Sequence, residues 1–291
     1  MPFEGGLMER TAASGVTLCA VTSVAREATV AALRHSQGQI QFDRALLLSD
    51  VCPSGLTGTG IEWRQIEPLG SRSEYSRFML HQLAGHIETP HVLIVQWDGF
   101  VRDGRRWQDA FLEYDYIGAA WPQFSDGAVV GNGGFSLRSK RLLDATRALP
   151  AGSEPEDLAI CRTHRHMLEV MYDLRFAGLE IARQFSYERE VSTGSAFGFH
   201  GCYNLFAELP DKMRAHVICS LEPGVVGARE SVELMFEALV RRDFALARLM
   251  MKHVLAHPQV ARRILLGIKR AMVGQQRGGR ALPAEDLTNE R

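Results

Sequence analysis

The stretch His91-Val-Leu-Ile-Val-Gln-Trp-Asp-Gly-Phe100 (HVLIVQWDGF) decides how this chain reads. Four consecutive apolar residues, Val92 to Val95, predict a strand buried on both faces. Asp98-Gly99 ends it and leaves an acid at its carboxyl edge. In an open α/β sheet, ligands bind beyond the carboxyl ends of the strands. An aspartate there, with no cationic neighbour in sequence, suits a metal ion or sugar hydroxyls, although an Asp-Gly pair by itself is more often only a turn.

Upstream, Val16–Val24 (VTLCAVTSV) reads as a first strand and Arg26–His35 as a helix. Arg44–Asp50 is a second buried strand that again ends in an acid. Val51–Gly60 is rich in Gly, Pro and Ser and reads as a loop. Ile61–Ile66 is a short strand, and Ser73–Ile87 a helix with Tyr75, Phe78, Met79 and Leu83 on its core face. Strands and helices alternating at this spacing predict βαβ units and an α/β fold with a mostly parallel sheet flanked by helices.

Downstream the texture changes. Trp107–Tyr114 is a short amphipathic segment, followed by Asp115–Pro122 (DYIGAAWP). Gly131–Ser139 (GNGGFSLRS) packs three glycines into four positions and runs into a strand, where glycine permits close backbone approach. Leu142–Ala148 reads as a helix stopping before Pro150. Glu154-Pro-Glu-Asp157 opens another over Leu158–Met167, and Phe197–Gly201 (FGFHG) closes the domain. The expected organisation is a leader over residues 1–15, a domain over 16–210, a helical appendage over 225–273 and a disordered tail over 274–291.

The 291 residues are 46% hydrophobic and 23% charged, with a net charge of -1 that conceals an asymmetry. The first 240 residues carry 22 Lys/Arg against 30 Asp/Glu, and the remainder 11 against 4. An acidic body offers no basic face to neutralise phosphates, so nucleic acid is excluded as the main ligand. Five scattered cysteines without a CxxC pair argue against a disulfide framework or structural zinc and fit a reducing cytoplasm. MPFEGGLMER has no long apolar core, so no signal peptide is expected, and no apolar run reaches the roughly 20 residues of a spanning helix. Within residues 260–273, Ile264, Leu265 and Ile268 alternate with Arg262, Arg263, Lys269 and Arg270. That stretch reads either as a solvated basic face or as a peripheral contact with the anionic inner face of a membrane.

Taken together and in order, DYIGAAWP, GNGGFSLRS, PEDLAICR and FGFHG resemble a bacterial family of domains grouped with the metal-dependent glycosyltransferases of the GT-A fold. The likeness covers roughly residues 16–207. It implies a nucleotide-sugar donor, UDP-linked, a glycan or surface-polysaccharide acceptor, and Mn2+ or Mg2+ on the donor diphosphate. Asp98 matches the last acid of the family's Asp-x-Asp motif. Here the motif reads Gln96-Trp97-Asp98, so the first acid is missing. His200 matches the late histidine that supplies a second metal ligand; its bland reading is a core histidine bonded to backbone. Asp157 matches the catalytic base of an inverting transfer, with Glu156 as its acceptor-orienting or capping neighbour. Acids at a helix start are also favoured by the helix dipole alone. Thr22, Ser23, Arg26, Asp50 and Arg77 fall where the donor nucleotide is held, and Asn132 and Gly133 where the donor sugar or acceptor lies. Trp97 and Trp121 could stack on sugar rings, although tryptophan is more often core.

Two other classes compete: a nucleotide-sugar or carbohydrate-binding module that has lost catalysis, favoured by the missing acid, and a protein that acts on a membrane or partner through its basic C-terminal helices. A hydrolase is weaker, because neither HExxH nor Gly-x-Ser-x-Gly occurs.

Overall fold

The computed structural model describes residues 11–150, 152–190, 194–222, 225 and 229–255. Its centre is a six-stranded sheet flanked by helices. In chain order the first half comprises β1 (Ala12–Val21), α1 (Arg26–Gln39), β2 (Gln41–Ser49), β3 (Glu62–Gln65), α2 (Arg72–His81) and β4 (His91–Ile94). The four strands are parallel in the order β3-β2-β1-β4, and Leu18 of β1 pairs with both Ala45 and Leu93.

The apolar runs made these strands for a physical reason: both faces are covered. Cys19, Val21, Leu46, Leu48, Val92 and Ile94 pack with Phe78 and Met79 of α2. Burying a side chain such as Phe78 there contributes roughly 1.5–3 kcal/mol. The alternate residues Leu18, Ala20, Leu47 and Leu93 are equally buried and face the side where α1 packs on β1 and β2.

Boundaries moved where local chemistry overrode hydrophobicity. β1 begins at Ala12 rather than Val16, so residues 12–15 are strand and not leader; Gly15 (φ 77°) and a bulge between Ala13 and Thr17 carry the early part. It stops at Val21 because the Thr22 hydroxyl donates to the Val24 carbonyl and Ala25 turns left-handed (φ 51°). α2 starts at Arg72, capped by Ser71, whose hydroxyl accepts from the Glu74 N–H at 3.2 Å. It ends at His81, and the rest of the predicted helix is a separate 3-10 turn over Leu83–His86.

The second half comprises β5 (Tyr116–Ile117), β6 (Ala119–Ala120), β7 (Val130–Gly131), β8 (Ser136–Ser139), α3 (Lys140–Thr146), α4 (Glu156–Leu158), α5 (Arg165–Tyr172), α6 (Leu179–Phe185), β9 (Ser186–Tyr187), β10 (Gly198–Phe199), α7 (Leu205–Glu208) and α8 (Asp211–Cys219). β8 inserts between β4 and β5, antiparallel to both. The loop that enters β8 therefore lies at the edge where β4 ends. β6 and β7 form an antiparallel hairpin, and β9 and β10 a parallel pair. The helix expected over Leu158–Met167 is broken: α4 passes into a π turn over Ala159–Thr163, and α5 begins only after His164. Inside that turn Arg162 reaches back to the β6–β7 connection. It bonds Asp126 at 2.6 Å and the Ala128 carbonyl at 2.8 Å, with its guanidinium over the Phe124 ring.

The chain divides into two compact units, Met1–Leu221 and Glu222–Arg291. The first extends past the expected boundary at 210 and includes α8, which packs on α1. In the second, α9 (Arg229–Val240) and α10 (Phe244–Leu255) pack together around a turn at Arg241–Asp243. The basic stretch 260–273 and the tail 274–291 lie outside the described residues. Among the described residues no helix is long and apolar enough to cross a membrane.

Candidate active site

β4 delivers Asp98 in a tight turn. The Gln96 N–H donates to the Gly99 carbonyl at 2.8 Å and the Gly99 N–H to the Gln96 carbonyl at 3.1 Å, leaving Trp97 and Asp98 at the tip. Asp98 is buried, at 4% exposure. The chain then passes through Phe100 and Val101, which β10 joins from the far end of the sequence: Phe199 N–H donates to the Phe100 carbonyl, and Val101 bridges to Gly198. Aromatic rings support this junction, with Phe100 edge-on to Phe199 at 4.7 Å and Phe135 beside Phe185 and Phe197.

The β9–β10 register pairs Phe199 with Tyr187. The next residues outward are His200 and Glu188, so a parallel pair two residues long sets an imidazole beside a carboxylate. His200 Nδ1 lies 3.3 Å from Glu188 Oε1, and the Asn132 amide nitrogen lies 3.2 Å from the same ring atom. On the other side, Nε2 lies 3.3 Å from Gln96 Oε1 and 3.7 Å from Asp98 Oδ1. The ring fits because it is flanked by Gly99 and Gly134. A Cβ at Gly99 would sit 2.6 Å from the ring, and one at Gly134 would overlap it. Burial disfavours the imidazolium, yet the charges of Asp98 and Glu188 outweigh it and push the His200 pKa up to about 9. Burial likewise works against the Glu188 carboxylate, but the His200 bond holds its pKa below the ordinary value.

The loop of Asn132 (φ 70°), Gly133 and Gly134 connects His200 to the second carboxylate. Asn132 Oδ1 accepts from the Gly134 N–H at 3.0 Å, and the Gly133 N–H donates to Asp157 Oδ2 at 3.1 Å. The other Asp157 oxygen accepts from the Leu158 N–H at 2.9 Å. Desolvation first, and the neighbouring Glu156 charge second, raise the Asp157 pKa to about 6. Glu156 itself is turned inward. It pairs at 2.9 Å with Arg138, a fully buried arginine on β8 that also donates to the Gly133 carbonyl and the Ser136 hydroxyl. Glu156 thus anchors the loop and α4 rather than facing an acceptor.

Of the residues singled out from the sequence, Asp98, Asn132, Gly133, Asp157 and His200 are brought together at one edge, with Glu156 behind them. A second group stands at the carboxyl ends of β1 and β2. There Arg26 forks onto Asp50 (2.8–3.1 Å), so each already engages the other, and the Ser23 hydroxyl accepts from the Leu69 N–H at 2.8 Å. Thr22 is occupied in the turn after β1. Arg77 is on the exposed side of α2 and Trp97 is partly buried. Trp121 is core, packed edge-on to Phe124, and offers no face for a sugar.

Glu188, Arg138 and the Gln96 side-chain oxygen also stand at this edge, and none of them is singled out by the sequence. Arg138 had a signal only once Ser-Leu-Arg-Ser is taken as an interior strand: an arginine buried there requires a buried acid. Glu188 had none, since it sits in the charged run Glu-Arg-Glu that reads as surface.

Among the described residues no group of three or more His, Cys, Asp or Glu forms a ready-made metal cage. The donor chemistry at Asp98 and His200 nevertheless fits a divalent ion. Ligands held at about 2.0–2.2 Å around one cation are roughly 3 Å apart when adjacent, close to the 3.3 and 3.7 Å separations around Nε2.

A search of curated proteins finds no match. Among solved structures, the galactosyltransferase LgtC in complex with donor and acceptor sugar analogs is similar at 12% identity, over 70% of this chain and 96% of that one, with a TM-score of 0.39. The mannosyltransferase PcManGT from Pyrobaculum calidifontis, in complex with GDP-Man and Mn2+, is 9% identical over 91% of this chain and 76% of that one, TM-score 0.40. The apo form of the glycosyltransferase GlyE from Streptococcus pneumoniae TIGR4 is 12% identical over 66% and 54%, TM-score 0.35. By sequence, residues 61–200, ending at His200, match the model of a family described as "Protein of unknown function (DUF5672)".

Proposed function

We propose that this protein is a glycosyltransferase that moves a sugar from a nucleotide-diphosphate donor, UDP-linked, to a glycan or surface-polysaccharide acceptor with inversion. One observation carries the reading. A buried carboxylate and a partly buried imidazole with the donor set for a divalent cation share an edge of the sheet with a second carboxylate whose pKa is lifted to about 6.

Asp98 and His200 would hold Mn2+ or Mg2+, which when bound would neutralise charge on the departing diphosphate. Glu188 fixes the His200 ring through Nδ1 and leaves Nε2 for the cation side. Asp157 takes the proton from the acceptor hydroxyl as that oxygen bonds the anomeric carbon and the bond to the diphosphate breaks. A base with a pKa near 6 is largely ionised at neutral pH while remaining close to it, which suits general-base work. The Gly133 N–H and the Arg138–Glu156 pair keep Asp157 in place.

The test is thermal-shift screening of the protein against nucleotide sugars with and without Mn2+, since a donor that binds the folded state raises the melting temperature. A metal-dependent shift that Asp98→Ala removes supports the reading; no shift with any nucleotide sugar defeats it. A donor-binding module without transfer is the second reading, favoured by Gln96 in place of an acid. Slow hydrolysis of the bound donor, lost in Asp157→Asn, separates the two.

A further inference from the structure

In the second unit, α9 and α10 are joined by a tightly fixed turn. The Arg242 N–H donates to the Leu239 carbonyl at 3.1 Å and the Asp243 N–H to the Ala238 carbonyl at 2.8 Å, with Arg242 left-handed at φ 61°. This is a Schellman ending, with an arginine where glycine is usual. Asp243 then caps α10 by accepting from the Leu246 N–H at 3.0 Å. Leu234, Met235 and Ala238 of α9 and Leu246, Ala247 and Met250 of α10 are buried. The apolar residues nearest the turn are not. Val240 is 77% exposed and Phe244 65%, and Phe236, Leu239 and Met251 are exposed as well. Phe236, Leu239 and Val240 stand at i, i+3 and i+4 of α9, and Phe244, Arg248, Met251 and Lys252 at i, i+4, i+7 and i+8 of α10. Each helix therefore carries an outward stripe, apolar on α9 and mixed apolar and basic on α10.

We propose that this hairpin tip docks on an anionic lipid surface, with Leu239, Val240 and Phe244 entering the acyl boundary and the basic side chains at headgroup level. The proposal is independent of the transfer chemistry, whose residues lie in the first unit. Charge selects the partner. Arg241, Arg242, Arg248 and Lys252 are exposed among the apolar residues. The acids between them are already engaged: Glu237 pairs with Arg241 at 2.6 Å, and Asp243 is the cap of α10. In sequence the same sign continues with Arg262, Arg263, Lys269 and Arg270. A second copy fits poorly, because a two-fold interface sets a patch against itself and would oppose these cations. Lipid phosphates satisfy them, and a guanidinium matches phosphate geometry. Arg and Lys stems lie along apolar surface while their heads reach the polar layer. An interfacial helix pairs a basic face with aromatic and aliphatic residues in this way.

Co-sedimentation of the full chain tests this, using vesicles of phosphatidylcholine alone and of equimolar phosphatidylcholine and phosphatidylglycerol. Wild-type protein should bind the anionic vesicles about tenfold or more tighter than the neutral ones, and high salt should erase the difference. Val240→Ser with Phe244→Ser should weaken binding to the anionic vesicles by about tenfold or more. Arg242→Asn, which tolerates the left-handed turn, with Arg248→Gln should remove most of the preference for them. All four positions are exposed, so the melting temperature should stay near that of wild type. Phe244→Trp in an otherwise unchanged chain should be quenched by brominated acyl chains beyond the wild-type background, which reports insertion directly. Equal binding to both kinds of vesicle, or binding to neither, overturns the proposal. So does full binding by the double serine variant, which moves the contact elsewhere in the chain. A dimer in size-exclusion chromatography that the double serine variant converts to monomer overturns it in favour of a second copy. None of these outcomes bears on the thermal shifts with nucleotide sugars.

Discussion

Glu188 Oε1 and His200 Nδ1 are 3.3 Å apart, across the open end of a parallel strand pair two residues long. The carboxylate lies on the Nδ1 side of the ring, opposite the Nε2 side that Gln96 and Asp98 approach. Removing its charge in Glu188→Gln should lower the His200 pKa from about 9, read by NMR titration of the ring protons in metal-free protein. Mn2+ affinity in the presence of UDP should fall about 10–100-fold, with Glu188→Asp recovering part of the loss. A purely structural role would move the melting temperature and leave the His200 titration where it is.

The same charges make metal-free stability depend on pH. The folded state holds the His200 proton more tightly than the unfolded chain, whose histidine titrates near 6.5. Its contribution is fully present below about pH 6.5 and is lost as pH rises through about 9. Denaturant unfolding between pH 6.5 and 9.5 should show the decline, and His200→Gln should flatten it.

As the proposed base, Asp157 should set the acid limb of activity. Transfer should rise with pH through about 6 as the carboxylate ionises. Asp157→Asn should abolish transfer while donor affinity stays within about twofold, since the base acts on the acceptor. Full activity in that variant would remove Asp157 from the chemistry.

Gly134→Ala places a methyl in the space of the His200 ring. Overpacking of this kind costs about 1–3 kcal/mol, and the displaced ring should take the Mn2+-dependent thermal shift with it. Gly85, which has open space where a Cβ would be, provides the control; its alanine variant should stay within about 0.5 kcal/mol of wild type.

Arg138→Met leaves Glu156 as a buried, unpaired carboxylate and should destabilise by about 3–5 kcal/mol. Adding Glu156→Leu should restore much of that stability without restoring transfer, because the Gly133 carbonyl has lost its guanidinium donor. Paired denaturant and activity measurements on the single and double variants distinguish the two effects.

The parallel half of the sheet was legible because apolar runs such as Leu46–Leu48 and Val92–Val95 have one cheap solution, burial on both faces. Asp98 was legible for the same reason: it is the first acid after such a run. The break inside Leu158–Met167 was not. The residues are ordinary helix formers, and the π turn shows itself only in which carbonyl each N–H finds. Glu188 was hidden more deeply, since a glutamate between charged neighbours becomes informative only once the β9–β10 register places it against His200. The two strands are just two residues each, too brief for any alternation to announce them. Arg26 and Asp50 were each read as reaching for a donor, and the structure pairs them; a fork between the start of α1 and the end of β2, 24 positions apart, is invisible in one dimension.

Arg162 binds the β6–β7 connection from inside the turn that follows Asp157. The connection and Asp157 are thereby tied through five residues of chain. Anything that shifts this connection is expected to be felt at the Asp157 carboxylate.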